Sequence, residues 1–298
     1  MTATPAYTPA VDVDAVAAID VHVHVEADAH GHRALDDELL EASSAYFRAV
    51  ANRTPTVDDL AATYRDAGMA AVVFTVDAQT NLGRPPVSSE EIAQQCARHN
   101  DVLIPFGSVD PLRGAPAVEQ ATRLVRDYGV QGFKFHPSLQ GFAPNEPQFR
   151  PLWSRLEELG VPALFHTGQN GIGAGLPGGR GIKLRYSDPL LLDDIAADFP
   201  QLTVILAHPS VPWQAEAISM ATHKANVFVD LSGWRPKYFP PELVRAAGGI
   251  LRDKVMFGSD YPLITPQRWL ADAAELGWPD EVQPRIRKLT AARVLGLR

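Results

Sequence analysis

The chain has 298 residues, of which 46% are hydrophobic and 21% charged, an ordinary balance for a globular protein. Its net charge of −8 at pH 7 argues against nucleic-acid binding, which requires clustered lysines and arginines. The single cysteine, Cys96, excludes an intrachain disulfide and a cysteine-based zinc ribbon.

The N-terminal stretch MTATPAYTPAVDVD has neither the basic segment nor the apolar segment of a signal peptide. No apolar run approaches the ~20 residues that a membrane-spanning helix needs. We therefore expect a cytoplasmic protein that does not associate with membranes.

Short apolar runs rich in β-branched residues recur along the chain and predict strands. There are eight of them, at 15–23, 70–78, 102–110, 129–136, 161–168, 202–209, 226–233 and 254–261. Most are apolar at successive positions, which is typical of parallel strands covered on both faces. Helical patterns lie between the runs, at 56–67, 88–99, 115–128, 148–159, 189–198, 213–223, 241–252 and 266–276, and a last helix is predicted at 281–295.

This alternation predicts an α/β fold with a parallel sheet. Eight strands favour a closed (β/α)₈ TIM barrel over an open doubly wound sheet. No G-x-G-x-x-G motif follows the first strand, which argues further against a dinucleotide-binding fold. We expect one domain over residues 1–298, with residues 1–14 as an N-terminal extension.

Two predicted loops are unusually long, 25–55 after strand one and 168–187 after strand five. Both leave the C-terminal face of the barrel, where active sites of this fold lie. The first carries a carboxylate and two histidines that we expect to be exposed, Glu26, His30 and His32. The second contains seven glycines, the candidate substrate contact Asn170, and a basic island formed by Arg180, Lys183 and Arg185.

Polar side chains stand at the C-terminal ends of the predicted strands. His22 and His24 are two residues apart on one strand, so their side chains share a face. Strands four, five, six and eight contribute Lys134, His136, His166, His208 and Asp260. Buried imidazoles and carboxylates need polar partners. These side chains could partner one another and a bound cation. This donor set suits Zn²⁺, with Mn²⁺, Co²⁺ or Fe²⁺ as alternatives.

In combination, several stretches resemble the amidohydrolase superfamily. They are IDVHVHV, GFKFHP, ALFHTG, VILAHPS, VFVDLSG and MFGSDYP, followed by LTAARVLGL, and together they span residues 19–297. The chain is most similar to the branch that holds aminocarboxymuconate-semialdehyde decarboxylase, the resorcylate decarboxylases and many TIM-barrel metal-dependent hydrolases. The resemblance implies a TIM barrel, one divalent metal ion and a homodimer.

The same resemblance implies a role for each polar strand end. The metal ligands would be His22, His24, His166 and Asp260. His208 would act on the metal-bound water or the substrate, and Asp260 would share the proton transfer. Relatives with two metals carry a carboxylated lysine at the position of Lys134, but the KFHP context favours an unmodified lysine near the site. His136 would lie beside the substrate.

Two reactions fit this metal site, and the sequence favours hydrolysis by a metal-activated water. The stretch LSGWRPKYFPPELV (231–244) resembles a subgroup that hydrolyses a C–C bond of aryl β-ketoacyl-CoA thioesters in coumarate and ferulate breakdown. Trp234 and Tyr238 would stack on the ring, and Arg180 with its basic neighbours would meet the coenzyme A phosphates. The alternative is non-oxidative decarboxylation of a hydroxybenzoate-like acid. The remaining alternatives, ranked below these two, are a lactonase, a hydratase and a binding protein without catalytic activity.

Overall fold

A computed structural model describes residues 6–47 and 54–297. Residues 1–5 of the predicted extension, residues 48–53 of the first predicted long loop and residue 298 lie outside the described residues. The described chain contains eight strands, each within or beside a predicted run. Their bounds are β1 Ile19–His24, β2 Ala70–Phe74, β3 Leu103–Pro105, β4 Phe133–Phe135, β5 Ala163–His166, β6 Val204–Ala207, β7 Val227–Asp230 and β8 Val255–Met256.

The strands form a closed parallel barrel. Hydrogen-bonded ladders join β1, β2 and β3 in order, and a second set joins β4 through β8 in order. A parallel bridge between Gly107 and Phe133 connects β3 to β4, and one between Val23 and Tyr261 connects the segment after β8 to β1. The predicted TIM barrel is thereby confirmed.

Alternate strand residues fill two separate apolar layers. One cluster inside the barrel includes Val72, Ile104, Leu164, Ile205 and Met256. The next residue along two of these strands, Val73 or Leu206, belongs instead to the larger cluster that includes the buried residues of the helices. This is the strand period of two expected of a barrel whose interior is packed with side chains.

Twelve α-helices surround the strands in the described part of the chain. Their bounds are α1 Asp37–Phe47, α2 Val57–Asp66, α3 Gln79–Leu82, α4 Ser89–Cys96, α5 Ala115–Tyr128, α6 Pro137–Gln140, α7 Arg150–Leu159, α8 Asp193–Asp198, α9 Gln214–His223, α10 Pro241–Gly248, α11 Pro266–Ala274 and α12 Thr290–Val294. None of them is long and apolar enough to cross a membrane.

The helix starts follow local capping chemistry. Thr56 and Asp59 form a full capping box on α2, and the Ser88 hydroxyl accepts from the backbone N–H of Glu91 at the start of α4. These caps explain why the predicted and observed starts of α2 and α4 agree to within one residue.

Three predicted segments differ from the structure. Helix α1 occupies part of the first predicted loop, because Asp36 caps it by accepting from the N–H of Leu39. Pro189–Leu192 forms a 3₁₀ turn before α8, and Arg285–Leu289 forms a π-helical turn before α12. The strands are also shorter than the apolar runs, since the ends of those runs leave the ladders at the barrel mouth.

Two glycines that end helices allow a matched stability test. Gly129 after α5 and Gly160 after α7 both have positive φ, 74° and 68°. A Cβ at Gly129 would lie 2.2 Å from the backbone oxygen of Tyr7, whereas a Cβ at Gly160 would meet nothing within 4 Å. We expect Gly160→Ala to lower the free energy of unfolding by roughly 1–2 kcal/mol. Gly129→Ala should cost about 1–3 kcal/mol more, because the backbone must also shift. Equal losses in urea unfolding would show that the Tyr7 contact is unimportant.

Candidate metal centre

Three predicted ligands converge at the C-terminal end of the barrel. His22 and His24 come from β1, and Asp260 follows β8. The two imidazole Nε2 atoms are 3.2 Å apart. Asp260 Oδ1 lies 3.4 Å from His22 Nε2 and 3.1 Å from His24 Nε2. Among the described residues, this trio has one ligand atom each within 4.8 Å of the others, which is the spacing of a shared cation site.

Hydrogen bonding fixes which nitrogen of His22 faces the cluster. Its Nδ1 lies 2.5 Å from Oδ2 of the buried Asp230, so Nδ1 carries the proton and Nε2 carries the lone pair. Burial lowers the pKa of His22 well below its ordinary value, and the charge of Lys134 lowers it further. The imidazole is therefore neutral and directs a lone pair toward His24 and Asp260.

A chain of hydrogen bonds sets the orientation of the fourth predicted ligand. The Ser232 hydroxyl donates to Asp230 Oδ2 at 2.9 Å, so its oxygen accepts from His208 Nδ1, also at 2.9 Å. His208 Nε2 then accepts from His166 Nδ1 at 2.9 Å. His166 Nε2 is left with a lone pair, and this buried atom has no hydrogen-bond partner among the described residues.

These residues fit a divalent metal ion. His166 lies outside the close trio, yet its unpartnered Nε2 is the kind of buried polar atom that requires an explanation. Three imidazoles and one carboxylate are the donors that Zn²⁺ and related ions prefer. Burial lowers the pKa of His24, but the carboxylates of Asp260 and Glu26 raise it to about 9, so His24 would release its proton when an ion binds. Asp230 and Ser232 complete the site by orienting the imidazoles, as partners of metal-binding histidines commonly do. The ligand assignment itself stays a prediction.

Lys134 is fully buried beside the trio. Its Nζ lies 3.2 Å from His22 Nε2 and 5.1 Å from the centroid of the Phe74 ring. Burial lowers the pKa of Lys134 to about 8, although the charges of Asp230 and Asp260 oppose that shift. Lys134 therefore places an amine at the floor of the site, as the sequence predicts.

The carboxylate of Asp260 is stabilised by its neighbours. Burial alone raises the pKa of Asp260, but the hydrogen bond and charge of His24 bring it below its ordinary value. Glu26 supports His24 from the other side, with Oε1 3.3 Å from Nδ1. Both Asp260 and His208 have positive φ, 67° and 73°, which is uncommon for residues other than glycine and concentrates at functional sites.

A cavity of about 430 Å³ opens above these groups. Its polar floor contains His24, Lys134, His136, His166, His208 and Asp260. The apolar side chains that line it include Phe47, Ile172, Trp234, Leu263 and Ile264. This division is typical of small-molecule sites, in which a few polar groups orient a ligand held by apolar walls.

His136 presents a donor to this cavity. Its ring stacks on His166 with centroids 3.8 Å apart and planes 8° apart. The backbone N–H of Leu139 donates to His136 Nδ1 at 3.3 Å. Burial lowers the pKa of His136 well below its ordinary value, so the neutral ring carries its proton on Nε2.

The structure brings most of the predicted substrate contacts to the cavity. Lys134, His136, Asn170, Trp234 and Tyr238 all line it, and Tyr238 stands at the rim with 60% of its surface exposed.

Arg180 is not brought to the cavity wall. Its guanidinium pairs with Glu38 at 2.6 Å and Asp36 at 3.4 Å, so the acidic start of α1 neutralises it. Lys183 and Arg185 of the same basic island are exposed and also do not line the cavity. The basic island is therefore not positioned at the candidate site.

Sequence reasoning missed three residues of the site. Asp230 ends β7, so the strand-end pattern that selected His166 would also have selected it. Ser232 follows Asp230 by two residues, and only the folded structure shows that it joins Asp230 to His208. Glu26 was expected to be exposed, but it lines the cavity and pairs with His24.

Comparison with known sequences identifies the family. The sequence profile described as amidohydrolase matches residues 19–297. The chain belongs to the amidohydrolase family. The chain is therefore a member of an enzyme family, and the side chains at the C-terminal end of its barrel include ligands suited to a divalent metal ion.

Individual relatives are more distant. The chain is 23% identical over 213 residues to gamma-resorcylate decarboxylase of a Rhizobium strain. This match covers 59% of this chain and 64% of that protein. An uncharacterised TIM-barrel protein from Bordetella bronchiseptica superposes with a TM-score of 0.75 and 20% identity, over 94% of this chain and 98% of that one. The 5-carboxyvanillate decarboxylase of Sphingomonas paucimobilis superposes with a TM-score of 0.67 and 17% identity, over 94% of this chain and 99% of that one. These structures show the shared fold.

Proposed function

We propose that this protein is a divalent-metal-dependent, non-oxidative decarboxylase of a hydroxybenzoate-like aromatic acid. The observation that carries the proposal is the cavity, whose lining combines apolar side chains with groups of the candidate metal site around a space large enough for an aromatic ring. The similarity to gamma-resorcylate decarboxylase supports this reaction over the C–C hydrolysis that the sequence favours. The thioester reading also loses its phosphate contacts, since the basic island is not at the cavity.

The floor suits an ortho-hydroxy carboxylate. A divalent ion held by His22, His24, His166 and Asp260 would supply the positive charge that binds the carboxylate and its neighbouring phenolic oxygen. Lys134 adds a second positive charge beside His22. His136 donates from Nε2. Trp234 and its apolar neighbours enclose the ring and exclude water, which strengthens the electrostatic contacts beneath it.

Asp260 is the proposed proton carrier. Its carboxylate takes the proton of the substrate's phenolic hydroxyl and then delivers it to the ring carbon that bears the departing carboxylate. The bond between that carbon and the carboxylate breaks, its electron pair forms the new C–H bond, and CO₂ leaves. The phenolic oxygen regains a proton from solvent, so atoms and charge balance. His208 has a hydrogen bond at each ring nitrogen, to Ser232 and to His166, and its assigned role is to orient His166 beside the cavity.

A substrate panel tests the proposal. The metal-loaded protein is incubated with 2,6-dihydroxybenzoate, 5-carboxyvanillate and, separately, 4-hydroxybenzoyl-acetyl-CoA. We expect CO₂ and the matching phenol from at least one acid. In D₂O the product should carry one deuterium at the carbon that lost the carboxylate. Thioester cleavage with no CO₂ from any aromatic acid would contradict the proposal and restore the hydrolase reading.

The metal and the assembly are parts of the same proposal. Zn²⁺ is the first ion to test, because imidazole-rich sites suit it, and Mn²⁺, Co²⁺ and Fe²⁺ are the alternatives. Reconstitution of metal-free protein with each ion, followed by CO₂ release, ranks them. The homodimer implied by the family resemblance stays a prediction that light scattering tests.

A further inference from the structure

Asn170 has a hydrogen-bond donor that no other residue described by the structure satisfies. It follows β5, is 6% exposed and lines the cavity. The backbone N–H of Ile172 donates to Asn170 Oδ1 at 2.9 Å. A backbone N–H can only donate, so the atom facing Ile172 is the oxygen and the NH₂ group is on the other side. That Nδ2 atom is buried and has no hydrogen-bond partner within residues 6–47 and 54–297.

The segment that carries Asn170 is held on both sides. Gly168 N–H donates to Ser187 O at 2.8 Å, and Gln169 Nε2 donates to the Tyr46 hydroxyl at 2.8 Å. Gly171 lies so close to α1 that a Cβ would be 2.3 Å from ring atoms of Phe47. These contacts fix the backbone on both sides of Asn170, and the hydrogen bond from Ile172 holds the amide oxygen.

A buried amide donor without a partner is costly, so a ligand that fills the cavity must offer it an acceptor. Among the described residues, Asn170 Nδ2 has no hydrogen bond to the trio or to Lys134. The proposal therefore assigns it an acceptor other than the groups that those residues would hold. The cavity also has room for it, because about 430 Å³ is nearly three times the roughly 150 Å³ of a cavity that holds benzene.

We propose that the substrate carries a second hydrogen-bond acceptor besides its departing carboxylate and ortho-hydroxyl, and that Asn170 selects substrates by donating to it. The inference rests on the proposed decarboxylation for its substrate class. It predicts that an acid with a retained ring carboxylate is preferred over the same acid in which hydrogen replaces that carboxylate. Asn170 is a specificity-determining residue in this account and not a proton carrier.

The Asn170→Asp variant isolates the donor. An aspartate keeps the oxygen that accepts from Ile172 and replaces only the NH₂ group by a second oxygen. The probes are 5-carboxyvanillate and two analogues of it. Hydrogen replaces the retained carboxylate in the first analogue, and an amino group replaces it in the second. Gln267→Glu, at an exposed position that does not line the cavity, is the control for the added charge.

We expect wild-type kcat/KM to be at least about tenfold higher for 5-carboxyvanillate than for the hydrogen analogue. Asn170→Asp should remove that preference through KM and favour the amino analogue, whereas Gln267→Glu should leave all three values within about twofold of wild type. An equal factor of change for all three probes overturns the inference, since it would indicate a structural role.

Calorimetric binding of the same three probes separates this inference from the decarboxylation. If the wild type binds the carboxylate probe more tightly than the hydrogen analogue but releases no CO₂, the donor role stands and the proposed reaction fails. Equal affinity for the two probes, or no binding of any probe, overturns the inference even when dihydroxybenzoates are turned over.

Discussion

Replacing Asp260 by asparagine will lower kcat for decarboxylation by at least about 10³-fold, the upper range for loss of a positioned proton donor. Asparagine keeps the size of the side chain but cannot take up or deliver the proton. Asp260 also contacts both His22 Nε2 and His24 Nε2, so the amide removes a negative charge from the candidate metal site. The measurement is the steady-state rate of CO₂ release at saturating metal.

Metal content distinguishes the two consequences of this change. Elemental analysis of Asp260→Asn shows whether metal is still bound when activity is measured. Asp280→Asn is the control, because Asp280 is an exposed carboxylate away from the cavity and should retain activity within about twofold. A metal-replete Asp260→Asn enzyme with more than a tenth of wild-type activity would exclude Asp260 as the proton carrier.

The Asp230→Asn variant will bind its metal roughly 10–100-fold more weakly, the usual cost of losing a residue that orients a metal-binding histidine. Asp230 Oδ2 accepts from His22 Nδ1 and from the Ser232 hydroxyl, and Oδ1 accepts from the Ser232 backbone N–H. An asparagine must place its NH₂ toward one of these donors. If the NH₂ faces His22, the proton moves to Nε2, the atom that would bind metal.

Competition with a chromophoric chelator measures this affinity. Ser232→Ala is the informative comparison, because it removes the hydroxyl that anchors His208 but leaves the contact between Asp230 and His22. We expect Ser232→Ala to retain more of the metal affinity than Asp230→Asn does. Unchanged affinity in Asp230→Asn would show that Asp230 does not set the protonation of His22.

The barrel could be predicted from sequence because its signals are local. Buried parallel strands read as continuous apolar runs, and caps such as Thr56 with Asp59 mark the helix starts. The pairing of His22 with His24 was equally accessible, since their spacing of two residues puts both on one strand face. Their approach to Asp260 followed from the barrel, because all strands end at the same face.

The remaining features depend on partners far away in sequence. Arg180 belongs to a basic island in the sequence, but Glu38, about 140 residues earlier, neutralises it in the fold. Ser232 has no distinguishing pattern until the structure places it between Asp230 and His208. The orientation of the Asn170 amide depends on one backbone N–H, which no residue pattern reveals. The contact that we propose to set substrate specificity, the Asn170 amide, is therefore among the features that the sequence predicts least well.

Release of CO₂ from an aromatic acid as a function of bound metal tests the central claim most directly. Metal-free protein is titrated with a divalent ion while CO₂ and metal content are measured together. We predict no CO₂ release without metal and a linear rise that saturates at about one ion per chain. Full activity in the metal-free protein, or saturated metal with no CO₂ from any hydroxybenzoate-like acid, would contradict the account.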